Sequence, residues 1–230
     1  RGFFLHDWIM DKDFPLVWRL DRNVAGSGSH GDLGAHLIDM ARYLVGEFQS
    51  VIGMSETFIK DRPFVEKMSG LSGKAVSDAQ RKEVTVDDAT LFLAKFSCGA
   101  LGSIEATRFA NGHRSSMSFE INGSKGSIKF DNERMNELLY FNAEDEEGLQ
   151  GFRLIQVTES VHPYAGAWWP AGHVLGYEHT FVHEFYEFFE AIAQDRAPMP
   201  DFNDGVKCSQ VLEAVEKSID TLCWVDVDSI

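Results

Sequence analysis

Asp32 and His36 lie four residues apart in the stretch GDLGAHLIDM, where Leu33, Leu37, Ile38 and Ala41 recur at helical spacing. On a helix the two side chains project from the same face. A carboxylate next to an imidazole is an acid/base pair, because the carboxylate can orient the ring and stabilise its protonated form. Asp39, three residues beyond His36, could do the same from the other side. Plainer readings are a partly buried, satisfied histidine and an aspartate in a first helical turn that complements the helix dipole. His30, Asp32, His36 and Asp39 are also all ligand types, yet their spacing matches no zinc signature, so no metal is expected.

The helix needs an approach and an end. Gly46 closes it, and small residues from Ala25 onwards turn the chain into it. Gly26, Gly28 and Gly31 spell GxGxxG, a pattern that signals a dinucleotide turn only after a buried strand. Trp18 to Val24 is too polar for that strand, and Asp32 would set a negative charge against a pyrophosphate. A glycine-rich loop that delivers Asp32 and His36 to a cleft is the expected arrangement. Just upstream, Trp18 and Arg19 pair a flat apolar ring with a planar cation, suited to stacking on a sugar face and gripping its hydroxyls; a core tryptophan beside a surface arginine is the alternative.

The first 24 residues read as a strand or extended segment, then a turn around Asp13 to Pro15. A strand is expected over 50–59, and a long, mobile surface loop over 60–86. From Asp87 the alternation predicts strands at 90–97, 100–109, 116–121, 127–131, 137–142 and 152–158, with Asn122-Gly123 as a strong turn signal. Residues 162–176 form an aromatic loop, holding Trp168, Trp169, His162 and His173, that either caps a core or lines a cleft. A helix follows over 177–194, with Phe181, Phe185, Phe188, Phe189 and Ile192 on a stripe expected to face the core. His179 and His183 lie four apart on it, without an evident third ligand for a metal. A last helix over 205–222 buries Val206, Val211, Leu212, Val215 and Ile219, and 225–230 reads as an edge strand. The fold class expected is therefore α+β, an open, mainly antiparallel β-sheet with helices packed on one face.

Composition narrows the function. With 230 residues and 44% hydrophobic content the chain can bury a sizeable core, and a net charge of −15 argues against nucleic acid or anionic membranes as partners. Small neutral substrates or other proteins fit better. Three cysteines without CxxC spacing suit a reducing cytoplasm, and no stretch reads as a signal peptide or membrane span. The first residue is Arg1, so a piece of a longer protein is expected.

The chain resembles the C-terminal half of the Gfo/Idh/MocA oxidoreductases, the glucose–fructose oxidoreductase and inositol dehydrogenase family. The residues that carry the resemblance are Trp-Arg-Leu-Asp at 18–21, Ala-Gly-Ser-Gly at 25–28, the Asp-x-x-x-His helix within 31–46, Glu-Ala-Thr-Arg at 105–108 and Ile-Asn-Gly-Ser-Lys-Gly-Ser at 121–127. The resemblance implies that 1–230 form a substrate-binding and oligomerisation domain, with homo-oligomer contacts through the sheet, and that a Rossmann domain for NAD or NADP, with a catalytic lysine, is absent from this chain. The cofactor-binding residues would lie mainly there, and the fragment alone would be inactive. It implies oxidation of a secondary hydroxyl of a sugar or cyclic polyol, as in the inositol and levoglucosan branch, with Asp32 and His36 catalytic. Trp18, Arg19, Trp169 and His179 would then hold the substrate ring. The rival expectation is a non-catalytic binding or dimerisation module that uses the exposed sheet face.

Overall fold

A computed structural model of the chain describes residues 1–64 and 80–230. In chain order, strand β1 (Gly2–Leu5) leads through a 3-10 turn (Trp18–Leu20) to a one-turn helix α1 (Arg22–Ala25), then to α2 (Ala35–Leu44). Strands β2 (Phe48–Glu56), β3 (Asp61–Pro63), β4 (Arg81–Glu83), β5 (Ala89–Phe96), β6 (Leu101–Thr107), β7 (Ser116–Asn122), β8 (Gly126–Asp131), β9 (Glu137–Asn142) and β10 (Arg153–Gln156) follow. Helices α3 (Glu178–Ala193) and α4 (Phe202–Thr221) and the short strand β11 (Val225–Asp226) complete the chain. The class is the α+β arrangement expected. The chain divides into two compact units, one of residues 1–117 and 206–230 and one of residues 118–205.

In the first unit the strand order is β11, β2, β5, β6, β1. Neighbours run antiparallel except β1, which pairs parallel with β6 in the register Phe4 opposite Ala106 and Leu5 opposite Thr107. Alternation along β5 decides the two faces. Phe92, Ala94 and Phe96 point inward, while Leu91 and Leu93 point out and stay largely exposed. The inner face is covered by helices: Leu37 and Ile38 of α2 and Val211, Ala214 and Val215 of α4 close over Phe48, Val51, Phe92 and Phe96. Each such side chain contributes about 1.5–3 kcal/mol by leaving water. The outer face is open, with an apolar trough lined by Phe3, Met54, Leu91, Leu93 and Leu222. Val206, expected inside, is exposed at the start of α4.

A second, smaller core of Ile9, Val17, Leu20, Val84 and Val86 gathers at one end of this unit. Buried Arg62 donates to the carbonyls of Ile9 (2.6 Å) and Asp11 (2.7 Å) and so fixes the segment that leads to Trp18. Arg62 belongs to β3, which pairs with β4 as a two-stranded sheet. The loop expected over 60–86 is thus ordered at both ends, where Val84 and Val86 are core residues; its middle, 65–79, lies outside the described residues.

In the second unit β7 to β10 form an antiparallel meander in chain order. Asn136 clamps the aromatic loop, its amide accepting from the Leu175 N–H (2.9 Å) and donating to the Leu175 carbonyl (2.8 Å). The stripe on α3 is not core. Phe181, Phe185, Phe188, Phe189 and Ile192 are each about half exposed or more. Apolar residues at helical spacing mark a face that gains from cover, but the pattern does not say whether cover is present.

Candidate active site

The glycine-rich approach is organised by Asp87, a residue that sequence reasoning did not single out. Its Oδ1 accepts the Gly28 N–H (2.7 Å), and its Oδ2 accepts the His30 N–H (2.8 Å) and the hydroxyls of Ser29 (2.5 Å) and Thr90 (3.0 Å). Burial opposes ionisation of this carboxyl, yet the hydrogen bonds from Ser29, His30 and Gly28 outweigh it and hold the group below its ordinary range. The donors that a cofactor phosphate would need at a helix start are therefore already taken by an internal anion. Gly28 is glycine for a reason of packing, since a Cβ there would lie 1.8 Å from the Asp87 carbonyl oxygen. Gly26, at φ 79°, supplies the left-handed turn before it. Gly26 and Gly28 thus have a turn and a close packing to explain them.

The helix opens with a single π turn, His30–Gly34, before α2 begins. Such turns occur often at functional sites. Leu33, Leu37 and Ile38 face the core; Asp32, His36 and Asp39 face outward and are exposed. His30 is a core residue, its Nε2 paired with the Leu212 carbonyl at 3.0 Å. Among the described residues no group of three or more metal-ligand side chains is gathered.

Asp32 and His36 share a helix face, but the partner of the carboxylate is Arg108. The Arg108 guanidinium, 1% exposed, donates from Nη2 to Asp32 Oδ2 at 2.8 Å, and the Asp32 side chain remains 41% exposed. Arg108 also donates to the Gly28 carbonyl at 3.2 Å and lies over the Trp8 ring, 5.7 Å from its centroid. His36 packs edge-on to Phe4, with centroids 5.8 Å apart. Phe4 touches His6 as well, at 5.0 Å.

His6, which the sequence did not single out, is a neighbour of this face. It leaves the end of β1, where its N–H pairs with the Thr107 carbonyl at 2.9 Å. Burial lowers the affinity of this ring for a proton, with the Asp32 charge opposing that shift and the Arg108 charge adding to it. Next to it the Asp7 carboxylate accepts from the Gly112 N–H and from Arg114, each at 3.1 Å. Phe4 and His6 sit at alternate positions of a strand and so share a face, which is the signal that could have found them.

Trp18 and Arg19 stack on each other, the guanidinium carbon 4.2 Å from the ring centroid, with Trp18 about half exposed. The ring and the fork are thus one element, tied to the site through Arg108, which approaches the Arg19 carbonyl at 3.5 Å.

Trp169 and His179 belong to the second unit. Trp169 is largely exposed, and the ring that meets His179 is that of Trp168, edge-on at 4.5 Å. Trp168 also donates its indole N–H to His183 Nε2 at 2.7 Å, and His183 stacks on Tyr164 at 4.4 Å. Burial and the neighbouring His179 both hold the His183 ring below its ordinary pKa. His179 Nδ1 accepts from the Gly176 N–H at 3.0 Å. The adjacent tryptophans cannot be told apart by spacing in a loop without a period.

Residues 1–129 match the model of the GFO/IDH/MocA C-terminal domain. Over 232 residues the chain is 40% identical to levoglucosan dehydrogenase of Pseudarthrobacter phenanthrenivorans, covering 100% of this chain and 59% of that protein. An oxidoreductase domain protein from Kribbella flavida superposes with a TM-score of 0.92 at 48% identity, over 99% of this chain and 58% of that one. A levoglucosan dehydrogenase in complex with NADH and L-sorbose superposes with a TM-score of 0.90 at 39% identity, over 99% and 57%. The chain thus spans a little under three-fifths of each of these proteins. It belongs to the GFO/IDH/MocA family, and the Asp-x-x-x-His helix lies within the family's C-terminal domain.

Proposed function

We propose that this chain is the substrate-binding part of an NAD- or NADP-dependent dehydrogenase that oxidises a secondary hydroxyl of a sugar or cyclic polyol. The observation that carries the proposal is the exposed helix face on which Asp32, anchored from behind by Arg108, stands one turn from His36. The likeness to a levoglucosan dehydrogenase that binds NADH and L-sorbose supports both the substrate class and the cofactor.

Removing hydrogen from a carbinol takes a hydride from carbon and a proton from oxygen. A bound nicotinamide supplies the hydride acceptor. The turn at Gly26–Gly31 does not suit its pyrophosphate, because Asp87 fills the N–H cradle. The residues in hand suit the alcohol. His36 takes the hydroxyl proton on an imidazole nitrogen, the side chain best matched to proton exchange near neutrality, and Asp32 receives a neighbouring hydroxyl. The stacked Trp18 and Arg19 offer a flat face and a cation to the ring.

The open sheet face, with its apolar trough, is assigned to contact with a second copy of the chain. That surface also suits the rival reading of a binding module, so the helix face decides between them. Three free cysteines agree with a cytoplasmic setting.

The test uses the full-length protein and a panel of sugars and polyols, levoglucosan among them, with NAD and NADP. His36→Ala is expected to lower kcat/KM by about 100-fold or more, because general base catalysis contributes on that order, while the melting temperature stays near that of the parent. An unchanged rate removes His36 from the chemistry. No oxidation of any member of the panel by the parent leaves the binding-module reading.

A further inference from the structure

Arg108 has an unusual position for a cation. Its side chain is 1% exposed, and an arginine so buried needs its charge answered and its donors filled. Asp32 answers the charge through Oδ2, and the Gly28 carbonyl takes a second contact from the same Nη2. The Gly28 carbonyl also accepts the Asp32 N–H at 3.1 Å, so the guanidinium holds both the carboxylate and the turn from which that residue springs. From the other side the Trp8 ring closes over the cation. Asp88, next to Asp87, is buried as well, and its backbone carbonyl accepts the Arg108 N–H at 3.0 Å. The side-chain contacts restrain the fork at its Nη2 end, Nε being buried without a partner among the described residues, while Asp32 itself stays open to solvent.

Asp32 Oδ1 has no protein partner among the described residues. We propose that Arg108 is a positioning residue: by gripping one oxygen of Asp32 from inside the protein it fixes the carboxylate so that the other oxygen accepts a hydroxyl of the ligand. This rests on the reading of Asp32 as a ligand-facing group of a dehydrogenase. It goes further in assigning the orientation of Asp32 to a strand-end arginine that does not itself meet the ligand. Nη2 reaches the carboxylate and the turn while Nη1 reaches towards the Arg19 carbonyl at 3.5 Å, a spread of directions that the single ammonium of a lysine does not cover.

The test is a double-mutant cycle in the full-length protein, with Arg108→Met, Asp32→Asn and the double variant assayed for levoglucosan oxidation with NAD. If levoglucosan is not turned over, the best substrate of the panel replaces it. Arg108→Met is expected to lower kcat/KM by about 30-fold, and to cost less than about 3-fold more once Asp32 is already Asn. A residue needed only for folding would lower the rate by the same factor in both backgrounds. Multiplying effects, or a parental kcat/KM for Arg108→Met, overturn the proposal. Should Arg108→Met not fold, the cycle is run with Arg108→Lys, which keeps the buried charge; a loss of about 5-fold or more that disappears beside Asp32→Asn supports the proposal, and one that persists sinks it. A parent inactive on the whole panel overturns the dehydrogenase reading. An active parent with multiplying effects overturns only the role of Arg108.

Discussion

Replacing Asp87 tests how the approach to the site is built. Its carboxylate accepts four hydrogen bonds within 3.0 Å, two from backbone N–H groups of the turn and two from hydroxyls. Hydrogen bonds to a charged acceptor are worth about 1.5–3 kcal/mol each, but the partial burial of the acceptor offsets part of that sum. Asp87→Ala, which leaves the Gly28 and His30 N–H groups unanswered, is therefore expected to cost about 3–4 kcal/mol. Asp87→Asn keeps one accepting oxygen and brings an NH2 against donors, for an expected loss of about 2–3 kcal/mol. The assay is equilibrium urea unfolding followed by tryptophan fluorescence. Because the folded state holds this carboxyl below its ordinary range, its contribution is fully present above the unfolded pKa of about 3.9 and fades as pH falls through the folded value. The gap between parent and Asn variant should therefore narrow in acid. A loss below about 1 kcal/mol for both variants at neutral pH would refute the account of the turn.

Two further outcomes are expected. Glu47, gripped first by Arg42 and then by Lys207, has its pKa lowered to about 2; its stabilising effect should hold above about pH 4 and decline below that as the carboxyl protonates. Glu47→Gln, in thermal melts from pH 3 to 7, should differ from the parent by about 1 kcal/mol or less at neutrality, since Glu47 is half exposed, and a gap that grows in acid would contradict this. Leu93→Lys, on the outward side of β5, should leave the fold intact and reduce the mass seen by sedimentation; a parent that is monomeric at about 100 μM, or an unchanged oligomer, would end the role given to the open face.

Much of the fold was legible because its signals are local. The alternation of Phe92, Ala94 and Phe96 with Leu91, Leu93 and Lys95 announces a half-covered strand, and β5 has that burial pattern. Leu33, Leu37 and Ile38 foretell the inward side of α2 and, by exclusion, the outward side that bears Asp32 and His36. What could not be read depends on partners far along the chain. The parallel pairing of β1 with β6 places His6 beside the end of the strand that leads to Arg108, and no local pattern specifies which strand β1 will join. The same holds for Asp87, whose partners at Gly28, Ser29 and His30 lie 57–59 residues away. Glu-Ala-Thr-Arg at 105–108 drew notice only through family likeness, because an arginine at a strand end is ordinarily solvated. The α3 stripe failed for a different reason: periodicity reports amphipathicity, and exposure is a property of the assembled molecule.

Asp32 and Arg108 are 76 residues apart in the chain. Helix α2 can coil early from local contacts, yet the Asp32 carboxylate in the turn ahead of it meets the guanidinium only after β6 has docked, a late event because distant segments must first pay for loop closure. A half-folded chain would thus carry the helix without the Arg108–Asp32 pair. Under the proposed function, ligand affinity becomes a gauge of how completely this unit has closed, so lesions far out in its sheet should weaken binding without ever touching Asp32 or His36.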